Sequence, residues 1–126
     1  MKYLLDTHIL LWFLSNDQSL KPQQRQAIES LDNQCLVSSA SLWEITIKYT
    51  LQKLKLKIEL VDFFDLISKS GFDILDIKPE HFVRLTQLPF LHRDPFDRLI
   101  IAQSIEENTV LITSDDQVLK YKIQSL

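Results

Sequence analysis

Short apolar runs that alternate with stretches of helical hydrophobic spacing predict an α/β domain built on a mostly parallel sheet of four to five strands. Two further observations support this class. Leu99-Ile100-Ile101-Ala102 is apolar nearly all round, as in a helix clamped between a sheet and a neighbour. The chain has 126 residues, 45% of them hydrophobic, enough for one real core, so 1–126 is read as a single domain.

In chain order, Lys2–Leu5 reads as a buried strand ending at Asp6, and Asp6 or Thr7 then caps an apolar helix through Leu14. Ser15-Asn16-Asp17 is a turn, and Lys21–Leu31 a polar surface helix with Pro22 in its first turn. Cys35–Ser38 is a second buried strand. Ser39 or Ser41 opens the next helix, which carries Trp43 and places Glu44 in its first turn. Lys53-Leu54-Lys55-Leu56-Lys57-Ile58 alternates at period two, so its lysines share one face if the segment is extended. Leu60–Ser70 has helical spacing and stops at Gly71, Phe72–Ile77 is a third strand, and Pro79–Leu88 another helix. Asp94 suits an N-cap, Pro95 suits N1, and Asp97 then falls at N3. Thr109–Thr113 is the clearest strand; a helical turn over Gln117–Lys120 and a last short strand over Ile123–Leu126 follow.

Composition removes several function classes. A net charge of −3 argues against coating nucleic acid by bulk positive charge, so any such contact is local. Arg93, His92 and the Lys53, Lys55, Lys57 face are the candidates for it. With one glycine, Gly71, a glycine-rich phosphate loop of either common type is excluded. One cysteine, Cys35, rules out an internal disulfide, and three histidines make no Cys/His zinc pattern; a reducing cytoplasm is expected. The apolar opening is interrupted by Asp6 and His8 and shows no small-residue cleavage site, and no run is long enough for a membrane span.

Acids recur where strands give way to helices. In a parallel sheet with right-handed crossovers, Asp6, Glu44, Asp94, Asp97 and Asp115 gather at one edge. Taken singly, each is a helix cap or a complement to the helix dipole. Taken together, unpaired carboxylates in one cleft repel one another and are driven toward protonation unless a cation neutralises them. Oxygen-only ligands favour Mg²⁺ or Mn²⁺, and carboxylate-bound ions of this kind recur in enzymes that cut phosphodiesters.

Leu4-Leu5-Asp6-Thr7-His8, Ser41-Leu42-Trp43-Glu44-Ile45, Asp94-Pro95-Phe96-Asp97-Arg98-Leu99-Ile100-Ile101-Ala102 and Leu111-Ile112-Thr113-Ser114-Asp115 together resemble, in order and spacing, the PIN-domain nucleases, and among them the VapC-type toxins of bacterial toxin–antitoxin pairs. The resemblance implies a three-layer α/β/α sandwich, metal-dependent cleavage of RNA (tRNA or another structured or single-stranded RNA), and inhibition by a small cognate antitoxin. It matches Asp6, Glu44, Asp97 and Asp115 to the family's acidic quartet and Thr7 and Thr113 to its supporting hydroxyls. Asp94 is an extra acid, a metal ligand or only a cap, and Asp116 is off the pattern. Gln52 stands where relatives often have glycine, and the tail lacks a final tryptophan. A homodimer through the family's usual interface is expected, with Trp12, Phe13, Trp43, Phe63 and Phe64 as the apolar surfaces that an antitoxin helix would need or that the core would absorb.

Two rival classes are compatible with parts of the pattern. One is a catalytically silent binding module whose acidic pocket receives a partner's basic side chain. The other is a phosphatase or phosphotransfer receiver, against which stand Glu44 on the second helix and the missing lysine after the last strand.

Overall fold

Tyr3, Leu4 and Leu5 are all buried, which is why the first strand is apolar from its second residue on: helices cover both of its faces. In the computed structural model, which describes residues 1–126, β1 (Lys2–Leu5) lies inside a four-stranded parallel sheet. Its companions are β2 (Gln34–Ser38), β3 (Asp73–Leu75) and β4 (Val110–Ile112), in the order β3-β2-β1-β4. Leu4 pairs with Leu36 on one side and Leu111 on the other.

The helices are α1 (Thr7–Leu14), α2 (Pro22–Glu29), α3 (Ser39–Thr50), α4 (Leu60–Lys69), α5 (Pro79–Thr86) and α6 (Pro95–Glu106). Alternation along the strands sorts the core into two halves. Tyr3, Leu5, Cys35, Val37 and Ile112 pack with Ile9 and Leu10 of α1, Ala27 of α2 and Phe63 and Ile67 of α4. Leu4, Leu36 and Leu111 pack with Leu99, Ile100 and Ile101 of α6. The result is the expected three-layer α/β/α sandwich. Every residue of α6 from Asp97 to Ser104 is buried, so the helix is held by packing from Asp97 onward.

Strand order decides where a site can form. The chain steps outward from β1 to β2 to β3, then returns across β1 to lay down β4 on its other flank. The connection leaving β1 turns to α1 on one face and the connection leaving β4 turns to Val118 and Tyr121 on the other, opening a crevice at the carboxyl ends of these two strands.

Some expectations need correction. The fifth strand is reduced to a single pairing of Ser125 with Leu111, although three backbone hydrogen bonds of 2.8–3.2 Å tie Gln124 and Leu126 to Leu111 and Thr113. The third strand is half the expected length, at Asp73–Leu75, because only that stretch reaches β2. Residues 53–58 form no strand: α3 ends in a turn at Leu51, and the alternation arises because Leu54 and Leu56 pack on the core while Lys53, Lys55 and Lys57 point to solvent. Of the apolar side chains considered for a partner, Phe63 is core, Phe13 is half-buried with its ring edge-on to Phe72, Trp12 and Phe64 are half-buried, and only Trp43 is exposed. Cys35 is free and buried, and no helix is long and apolar enough to cross a membrane.

Candidate metal centre

Asp6 is the first residue past β1 and the N-cap of α1, so the sheet fixes its backbone while the helix orients its carboxylate. Oδ1 accepts from the Thr7 amide at 2.8 Å, and Oδ2 accepts from the Thr113 hydroxyl at 2.8 Å. That hydroxyl, just past β4, also accepts from the Asp115 amide at 3.1 Å, so one threonine spans two acids on neighbouring strands. Asp115 is itself steadied by the Gln117 amide, which donates to Oδ1 at 2.8 Å. Thr7 works at one remove: its hydroxyl donates to Ser41 Oγ at 2.8 Å and ties α1 to α3.

Asp94 is the N-cap of α6, and its Oδ1 accepts from the amides of Phe96 (2.9 Å) and Asp97 (3.1 Å). Capping accounts for this carboxylate, which stands outside the group of converging acids. Asp97, at N3, is turned into the crevice, where one oxygen each from Asp6, Asp97 and Asp115 lies within 4.8 Å of the others.

The electrostatics follow from this geometry. Burial pushes the Asp97 carboxyl up to about 7, helped by repulsion from Asp6, Asp94 and Asp115 and opposed by a hydrogen bond from His92. Burial likewise raises Asp6 above the usual carboxylate range, against the pull of Thr113. Arg98 Nη1 donates to the Tyr121 hydroxyl at 2.9 Å, which leaves the Tyr121 proton for His92 Nδ1 at 2.9 Å. His92 then carries its own proton on Nε2, directed at Asp97 Oδ2 at 3.1 Å. His92, expected among the phosphate contacts, is thus committed to Asp97 and Tyr121, whereas Arg93 is exposed.

Glu44 lies in the second turn of α3, not the first, because the helix already begins at Ser39 under a Ser38 cap. It is 3% exposed, and its Oε2 accepts from Lys48 Nζ at 2.7 Å. Its Oε1 has no hydrogen-bond partner, the single buried side-chain oxygen or nitrogen of the chain left so. An unpaired buried carboxylate oxygen is costly unless something else satisfies it. Glu44 is not among the three converging acids, but this free oxygen and the all-oxygen donor set suit a hard divalent cation. Sequence reasoning gave Ser41 no part in the site and missed Lys48 and Tyr121. Only Lys48 left a readable signal, an acid four residues before a base on one helix.

A second hollow, about 360 Å³, lies at the amino end of β4 beside Asn108, Thr109 and Lys122, and no carboxylate or imidazole lines it.

A parallel α/β sandwich whose carboxyl-edge acids converge at the strand-order reversal defines a class of domain suited to holding a divalent cation. Within that class the chain belongs to the PIN domain family, whose model matches residues 3–123. It is similar to Ribonuclease VapC22 of Mycobacterium tuberculosis, with 28% identity over 120 residues that cover 94% of this chain and 91% of that one. Similar folds occur in VapBC2 from Rickettsia felis bound to a DNA fragment from its promoter (TM-score 0.75, 22% identity, 100% of this chain and 98% of that one). They occur also in VapBC-1 from nontypeable Haemophilus influenzae (TM-score 0.73, 15% identity, 100% and 97%).

Proposed function

We propose that the protein is a metal-dependent endoribonuclease, the toxin of a toxin–antitoxin pair, using Mg²⁺ or Mn²⁺ to hydrolyse RNA phosphodiester bonds. The observation that carries this reading is the convergence of Asp6, Asp97 and Asp115 in a crevice where burial and mutual repulsion hold Asp97 near neutrality. Asp6, Asp97 and Asp115 would hold the ion, with Glu44 offering its free Oε1 and Asp94 serving as the cap. A bound divalent cation supplies a nucleophile made from water and charge for the leaving oxygen.

The chain's own residues set the geometry. Thr113 keeps Asp6 and Asp115 in register, Thr7 and Ser41 hold α1 against α3, and the Arg98–Tyr121–His92 chain aims the Asp97 carboxylate. Arg93, Lys53, Lys55 and Lys57 are exposed and would meet backbone phosphates. The family match and the likeness to a ribonuclease of nearly equal length support RNA as substrate. Similar folds solved as VapBC assemblies support a small antitoxin as partner. A homodimer and a cytoplasmic location complete the reading.

Asp6→Asn and Asp97→Asn test it. Each removes a ligand charge and relieves repulsion, so cleavage of labelled RNA in Mg²⁺ or Mn²⁺ should vanish while thermal stability without metal holds or rises. A variant that cuts at the parent's rate would overturn the assignment.

A further inference from the structure

His8 and Trp12 lie beside Asp6 and Asp115 but are not among the converging ligand groups. They stand four residues apart on α1 and so share one face of it. Their ring centroids are 6.1 Å apart with planes inclined at 52°. His8 is exposed and Trp12 half-buried, and with Asp6, Ser114 and Asp115 they line a cavity of about 230 Å³. Two of the acids that would hold the ion therefore form one wall of a hollow whose other wall is aromatic.

Aromatic rings beside a phosphodiester-cutting centre match unpaired nucleotides, because a base freed from its helix can lay its π-face on a ring whereas a paired base cannot. The remaining wall is polar: Ser114 Oγ accepts from Gln24 Nε2 at 3.2 Å, which ties the loop after β4 to α2.

We propose that the cavity between α1 and the loop after β4 is a nucleobase subsite: the unpaired base next to the cut phosphodiester stacks on His8 and Trp12. This rests on the ribonuclease reading and adds to it the two side chains that would seat the base beside the cut.

The test uses the full chain with calcium as the divalent ion and a Trp43→Phe background, so that indole emission reports Trp12 alone. A short single-stranded oligoribonucleotide should quench that emission, and the same sequence in a duplex should not. Replacing the nucleotides around the cleavage point by abasic ones should weaken binding by about tenfold, the scale of one base stack. Because Trp12 also packs on the core, the variants are His8→Ala, expected to weaken single-strand binding about fivefold or more, and Trp12→Phe, expected to retain most of it. Both should leave the salt dependence of binding unchanged, since stacking releases no counterions. Unchanged emission, or equal affinity for abasic and intact strands, in a protein that still cuts RNA in Mn²⁺ would overturn the subsite and leave the ribonuclease reading standing. A parent chain that neither binds nor cuts any RNA would overturn both.

Discussion

Asp97 carries the crevice's burden of charge, and its behaviour with pH should reveal it. An ordinary aspartate titrates near 3.8, whereas burial and neighbouring acids hold this one near 7. Between those values the folded chain keeps a proton that the unfolded chain has released, so folding stability without metal should fall as pH rises from about 4 to 7 and level off above. Asp6, also raised, adds a change of the same sign. Thermal denaturation in chelator across that range should show the decline, and Asp97→Asn should flatten much of it. A parent profile with no decline would refute the proposed charge burden. At the acid end the sign reverses for Glu107, whose carboxylate the His81 hydrogen bond holds below its usual range; its contribution is lost as pH falls below about 4.5. The cap at Asp94 and the N3 position of Asp97 were legible because capping is local chemistry. The tie from His92 to Tyr121 was not, because it joins residues 29 apart that no periodicity connects.

Four helices finish alike: α1, α3, α4 and α6 are each followed by a residue in the left-handed region, respectively Asn16 (φ 55°), Gln52 (φ 57°), Gly71 (φ 86°) and Asn108 (φ 52°). Glycine and asparagine tolerate this conformation, whereas glutamine has no local hydrogen bond to offset its steric cost. Two backbone bonds nevertheless close the motif after α3, from Gln52 N to Tyr49 O (3.1 Å) and from Lys53 N to Lys48 O (2.8 Å). Gln52→Gly should therefore stabilise the protein by up to about 1 kcal/mol, the relief exceeding glycine's extra freedom when unfolded. A lowered melting temperature would count against that balance. The same turn explains why residues 53–58 are not a strand. Alternation suggests extended backbone, but two leucines anchoring an irregular segment produce the same pattern. The consequence for the lysines survives, since Lys53, Lys55 and Lys57 all face solvent. Neutralising the three should weaken RNA binding and reduce the slope of affinity against salt by about one for each phosphate no longer engaged. An unchanged slope would return them to an ordinary solvated face.

At the scale of the molecule, alternation of strands and helices was enough to expect the layers, and acids at strand ends were enough to expect the edge on which they meet. What the pattern could not supply was strand order, because pairing of β1 with both β2 and β4 is decided by packing of whole helices. Control should also act at this scale. Co-expression with the product of a neighbouring gene should yield a complex on size exclusion and suppress cleavage. If that product neither co-purifies nor inhibits, the antitoxin half of the reading falls and the nuclease half remains. The bond from Thr113 to Asp6 spans 107 residues, so the acids come from opposite ends of the chain. A ribosome releases Asp6 well before Asp115, and until β4 has settled beside β1 the two have no common frame. A ribonuclease of the kind proposed is thus without its paired acids until the strand that precedes the second of them has emerged and docked.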